Sequence, residues 1–344
     1  MKFGIIPPRA FAFCSALLGL AVGAVAASPT HDLYVCAAIN NSARVMGSRS
    51  ESATGIFRRN DDGSFSHLGL NYPLMISLAF DPRDPRRLYV ACLSGILRTL
   101  DGGETWRLVT GWNETEPKSV AVDPHAPDIV YAGLPDGFIV SHDEGLTWSR
   151  AESGLPARGK YTQTIAVDRA RAGRVLAGCE TGIYLTEDGA RSWRRVFATT
   201  DTVDDIQQSP HDPQLWLAVT QSAGALCSRD GGATWERIGG IPTEKALYNL
   251  AFDATNSQRL AIASWTYGIL VSEDGGRTWT ERNAGLPDQH RVWRTAIDPD
   301  TGRLYAAVHE KALYASDDFG RTWRIAGLEG SVIQSFTFVR RSDR

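Results

Sequence analysis

Two adjacent carboxylates, Asp204 and Asp205, with Asp201 just before them, are the residues of this chain best suited by type to acid–base chemistry. Paired carboxylates can divide the roles of general acid and general base, and burial beside like charge raises one pKa into a useful range. Arg294 is a cation expected within a unit or two of them. Neighbouring residues of a strand point to opposite faces, so Asp204 and Asp205 are not expected to share one substrate atom. A solvated, cation-attracting rim is the alternative. A second group is aromatic: Tyr248, Trp265, Tyr267 and Trp293. Exposed aromatic clusters hold sugars by stacking or peptides by apolar contact, although packing between structural units also consumes such rings. The seven His residues are scattered without Ser/His/Asp or metal-ligand spacing, so no nucleophile, metal or cofactor is assigned.

What positions these residues is a repeat. Six octamers of the form Ser/Thr-x-Asp-x-Gly-x-Thr-Trp place their acid at Asp101, Asp143, Asp188, Asp230, Asp274 and Asp318. The Trp that ends each octamer recurs at steps of 42, 45, 42, 44 and 44 residues, from Trp106 to Trp323. An Asp carboxylate collects the backbone N–H groups of a tight turn, Gly supplies positive φ, and Trp opens the outgoing strand with a large apolar face. Six copies of one motif are not six active sites, so these Asp residues are read as structural. Ahead of each box lie two more strands, read from β-branched and aromatic alternation bounded by Pro, Gly and Asp. They are clearest over 77–81 and 88–91 and recur over 119–123 and 130–133. Each unit is thus four strands, A to D, with the box between C and D.

The ends fix the number of units. The first turn, over 60–65, is a decayed box whose Phe65 stands 41 residues before Trp106, and its unit begins at strand B over 33–35. The missing strand A is expected over 335–339, so that the C-terminus completes the first unit and no seam stays open. The expected fold is all-β, a seven-bladed β-propeller of four-stranded blades. In this register Ser77 recurs as Ser119, Thr164, Asp205, Asn249, Arg294 and Ser335, a polar ring near a central channel. One residue earlier stand Ile76, Lys118, Gln163, Asp204, Tyr248, Trp293 and Gln334. The D-to-A and B-to-C loops share one face, opposite the boxes. The expected ligand-binding set on it is Lys118, Gln163, Tyr248, Asn249, Trp265, Tyr267, Trp293 and Arg294. An insertion at about 40–54, rich in Ser, Arg and Asn, reads as a flap over the same face.

With 43% hydrophobic and 22% charged residues, the 344-residue chain has the composition of a soluble globular protein, and 33 Gly suit many tight turns. Lys2 and Arg9 precede an apolar run over 11–25 that ends in a small-x-small pattern at 24–26. This reads as a signal peptide over 1–26 and predicts a secreted or periplasmic single domain over 27–344. No later segment has the length of apolar sequence that spans a bilayer. Loss of Lys2 and Arg9 takes the formal charge from −3 to −5, which argues against a nucleic-acid or anionic-membrane surface. Cys36, Cys92, Cys179 and Cys227 lack zinc spacing. Cys92 and Cys179 hold the same register two units apart, so buried free thiols are expected rather than disulfides.

The octamers resemble the Asp-box (BNR) repeat propellers, which include sialidases, xyloglucan-active glycoside hydrolases, sortilin-type ectodomains, and photosystem II assembly and stability factors. The resemblance covers nearly the whole chain after the leader. Sialidases of this kind are six-bladed and carry an Arg-Ile-Pro motif that is absent here. The xyloglucanase type joins two seven-bladed domains with its carboxylates across the cleft between them, and the sortilin type adds Cys-rich modules. In size and blade count the chain is most similar to the photosystem assembly factors. That resemblance implies a monomeric, non-catalytic binding or assembly scaffold, which recognises a protein segment or glycan on the D-to-A and B-to-C face. The other implied function is a carbohydrate-active enzyme, hydrolase or lyase, using Asp204 or Asp205 with Arg294.

Overall fold

The computed structural model describes residues 1, 29–39, 54–72, 74–242 and 244–341. Met1 apart, the leader read over 1–26 lies outside the described residues, as does the insertion at about 40–54 except Thr54, which already pairs with Ala38 in a strand. Among the described residues there are 28 strands and no helix, and the strands form seven four-stranded antiparallel sheets. No helix long and apolar enough to cross a membrane occurs among them.

Strand A of blades two to seven spans Met75–Asp81, Ser119–Val122, Thr162–Val167, Val203–Gln208, Leu247–Phe252 and Val292–Ile297. Strand A of blade one is the C-terminal strand, Ser331–Arg340, paired with His31–Ile39. Each A strand contacts the A strand of the next blade, and the last contacts that of blade two, so the sheets form a closed ring around a channel.

The sequence builds this ring through alternation. Strands B and C are sheltered on both faces by neighbouring blades, and they read as short apolar runs such as Val130–Leu134 and Gly182–Thr186, buried throughout. Successive side chains face opposite neighbours. In blade two, Val90 and Cys92 enter the layer shared with blade one, whereas Tyr89 and Ala91 enter the layer shared with blade three. Seven such apolar layers exist, one per blade interface. Cys36, Cys92, Cys179 and Cys227 are buried free thiols; burial pushes Cys36 up to about 12.

The six boxes share one geometry. In blade two, Thr99 Oγ1 donates to Asp101 Oδ1 at 2.7 Å and accepts from Gly103 N at 3.0 Å. Asp101 also accepts from Thr105 N at 2.9 Å and from Thr105 Oγ1 at 2.6 Å. These hydroxyl and amide donors hold the carboxyls of Asp101, Asp143, Asp188 and Asp274 at about 2. Asp318 also lies at about 2, as does Asp230, where burial opposes the donors and loses. Each box carboxylate is consumed by its own turn.

Candidate functional site at the channel mouth

The innermost strands share an irregularity that decides what the channel contains. Register shifts fall at Met75/Ser77, Thr162/Thr164, Val203/Asp205, Leu247/Asn249 and Val292/Arg294. The C-terminal strand likewise passes over Gln334, since Ile333 and Ser335 pair with the consecutive Ala37 and Cys36. In blade three, Lys118 N donates to Gly133 O at 2.8 Å while Ser119 already pairs with Gly133. A bulge sets two residues against one and breaks strict alternation. The expectation that Asp204 and Asp205 face opposite ways is therefore overturned. Both line a central cavity of about 570 Å³, together with Lys118, Gln163, Tyr248, Asn249 and Arg294.

Sharing a cavity does not give the two carboxyls one role. Asp205 Oδ2 accepts from Leu250 N of the next blade at 3.1 Å, and its Oδ1 accepts from Gln207 Nε2 at 2.9 Å. Asn249 exchanges two 2.8 Å hydrogen bonds with the backbone of Thr295, and Arg294 Nε donates to Gln334 O at 2.8 Å. Ser77 Oγ accepts from Val120 N at 3.3 Å. The polar ring thus pins blade two to three, five to six, six to seven and seven to one, and Asp205, Asn249 and Arg294 spend polar atoms there. Burial raises the pKa of Asp205 against its own hydrogen bonds.

Asp204, on the bulge, is different. Burial pushes its carboxyl up to about 8; Arg294 opposes this, and Asp201 and Asp205 add to it. Its Oδ2 is buried with no hydrogen-bond partner. No ion pair within 4.0 Å joins Arg294 to either carboxylate among the described residues, and burial pulls the pKa of Arg294 down. Asp201 lies outside this cavity and accepts from Ala223 N at 2.8 Å, holding the B-to-C loop of its blade.

The aromatic residues divide. Tyr248 and Trp293, the bulged residues of blades six and seven, have ring centroids 4.4 Å apart, and Trp265 from a B-to-C loop stands 6.2 Å from Trp293. His309 packs 5.0 Å from Trp265. These four, with Val332 and Gln334, line a second cavity of about 320 Å³ that shares Tyr248 and Gln334 with the channel. Trp265 and Trp293 are half-buried against each other rather than freely exposed. Tyr267 does not join them; it packs on the apolar layer between blades five and six. Across the channel, Lys118 Nζ lies 5.8 Å from the Tyr161 ring and 3.6 Å from Glu116.

Sequence reasoning passed over Tyr161, His309 and above all Trp112, which is 96% exposed in the D-to-A loop between blades two and three. Counting the ten Trp was enough to find it. Six end boxes, Trp216 is fully buried, Trp265 and Trp293 form the wall, and one remains, in a loop of the face already singled out. No group of three or more His, Cys, Asp or Glu is arranged to hold a metal ion among the described residues.

Ring closure, box geometry and blade count together decide the architecture. The chain is a seven-bladed Asp-box β-propeller. Residues 66–221 of the propeller match the family model described as photosynthesis system II assembly factor YCF48. Among solved structures, a GH74 xyloglucanase from Xanthomonas campestris is 20% identical with TM-score 0.64, over 80% of this chain and 51% of that one. YCF48 bound to D1 peptide is 20% identical with TM-score 0.55, over 75% of this chain and 87% of that one. YCF48 from Cyanidioschyzon merolae is 18% identical with TM-score 0.57, over 73% and 84%. The propeller spans about half the length of the xyloglucanase it matches. No curated protein is matched.

Proposed function

We propose that this propeller is an exported, monomeric scaffold that holds an extended protein segment across its D-to-A and B-to-C face. The observation that carries the reading is the aromatic wall of Tyr248, Trp265 and Trp293 at the channel mouth, on the bulges of blades six and seven and a B-to-C loop. Trp112 offers a second apolar anchor on the same face. The match to the assembly-factor family model and the fold shared with a peptide-bound YCF48 support a protein partner. Panning a random-peptide phage library against the purified protein tests this. Peptides are expected to enrich, to quench Trp emission, and to lose most affinity on Trp265→Ala and part of it on Trp112→Ala. No enrichment, or binding indifferent to both changes, would sink the reading. Export predicts that the mature chain starts at residue 27, which N-terminal mass spectrometry of the extracellular and periplasmic fractions reads.

A glycosidase reading has one observation in its favour: the Asp204 carboxyl, held at about 8 beside a second carboxyl, suits a general acid. The second carboxyl is the one pinned to Leu250 N and Gln207, which weakens it as a base or nucleophile. Turnover of xyloglucan or another glycan that is abolished by Asp204→Asn would favour the enzyme.

A further inference from the structure

The cavity between blades six, seven and one has a chemistry that narrows what kind of segment fits. Trp293 Nε1 and His309 Nδ1, both on its lining, are buried without a hydrogen-bond partner. A buried donor without an acceptor is costly. The indole N–H groups of Trp106, Trp193, Trp216, Trp235, Trp279 and Trp323 all have carbonyl acceptors. Trp148 shares the lack but lines neither the channel nor this cavity.

The charges around the wall select against a cationic occupant. The Arg294 guanidinium lies 4.6 Å from the Trp293 ring centroid and that of Arg291 5.8 Å from the Trp265 ring centroid, so ring faces that would attract an ammonium already hold cations. Burial pulls the His309 pKa down and Arg291 adds to this against Glu310, which keeps the imidazole neutral. What remains is an apolar corner of rings, Tyr248 tilted 42° to Trp293 and Trp265 edge-on to it at 87°, with one unmet indole N–H donor and few acceptors. A sugar ring would stack on it, but each hydroxyl brings a donor of its own, and among the lining side chains only His309, Gln334 and the Tyr248 hydroxyl offer acceptors. Proline brings an apolar ring, a carbonyl and no N–H, and its extended helix loses little entropy on docking.

We propose that this cavity is a proline-reading subsite, in which a polyproline-type stretch lays a pyrrolidine ring on Tyr248 and Trp293 and accepts a hydrogen bond from the Trp293 indole. The proposal rests on the segment-binding reading of this face and names the chemistry of the segment.

Indole N–H resonances of the 15N-labelled protein, with that of Trp293 assigned through Trp293→Phe, provide the test. The probes are acetylated, amidated hexaproline and a Gly/Ser hexapeptide of equal length. Hexaproline is expected to move the Trp293 signal downfield and the Gly/Ser peptide to leave it in place. Trp293→Phe keeps a ring and removes the donor; it should weaken hexaproline binding about ten-fold with an unchanged thermal midpoint. A still Trp293 signal at millimolar hexaproline overturns the subsite. If phage-selected peptides nevertheless bind, the segment reading survives that failure; if they do not, both fall. A shift produced by a xyloglucan oligosaccharide and not by hexaproline overturns the proposal in favour of a sugar.

Discussion

Asp204 and Asp205 are one position apart, and burial raises the pKa of both, but only Asp205 has hydrogen bonds on both oxygens. Asp204 sits without a partner for Oδ2, and burial carries its carboxyl from an ordinary 3.8 to about 8. Between those values the unfolded chain releases the proton while the folded chain keeps it. The stability that protonated Asp204 contributes is complete below pH 3.8 and is lost as pH rises towards about 8. The loss is at most ~1.4 kcal/mol per pH unit. Asp204→Asn imitates the protonated acid, so its urea midpoint should exceed the parent's at pH 8 and converge with it near pH 4. A variant less stable than the parent at pH 8 would mean that the carboxylate is paired with Arg294 after all. Asp205→Ala instead leaves Leu250 N without its acceptor and should cost about 1–3 kcal/mol, measured by urea titration.

At the scale of the turn and the strand, the boxes were legible because each is self-contained. The donors to an Asp lie within four residues of it, so the octamer by itself dictates the turn. Two consecutive box residues take positive φ, and blade four puts Ala190, at φ 68°, where other blades have Gly. Ala190→Gly should therefore raise stability by up to about 1 kcal/mol, less what the buried methyl contributes. The depressed carboxyls give a second expectation. Their stabilisation is complete above the ordinary value of 3.8 and drains away as pH falls towards about 2, so circular dichroism should follow acid unfolding inside that window. The bulges were illegible for the converse reason. They occur in every A strand, so aligning the repeats shows no difference, and no residue type marks them: Ile76, Lys118, Asp204 and Trp293 all occupy the same place. Alternation thus set Asp204 and Asp205 on opposite faces, although counting register had found the ring itself. Trp112 escaped because a D-to-A loop has no period to read it against.

The whole molecule depends on one borrowed strand. Counting strands at the two ends was enough to predict it, since a propeller with three strands in one blade would leave an edge open. Ser331–Arg340 pairs with His31–Ile39 at nine positions, supplies Ile333 to the layer between blades seven and one, and carries the Gln334 carbonyl that receives Arg294. Weaker ties reinforce it: Arg341 reaches Asp32 and Asp61, and Asp300 of blade seven accepts from Thr30 N at 2.7 Å and His31 N at 2.9 Å. The two kinds of tie should separate cleanly by magnitude. Arg341→Ala removes partly exposed ion pairs and should cost no more than about 1 kcal/mol. Truncation after Gly330 strips Leu33, Val35 and Ala37 of their cover and leaves a row of unpaired backbone groups in the core of blade one. The truncated chain should unfold without a cooperative transition and bind a hydrophobic dye, and a synthetic 331–341 peptide added in trans should restore part of the transition. A truncated chain that melts cooperatively at the parent's midpoint would show that apolar layers between blades close the ring without the strand.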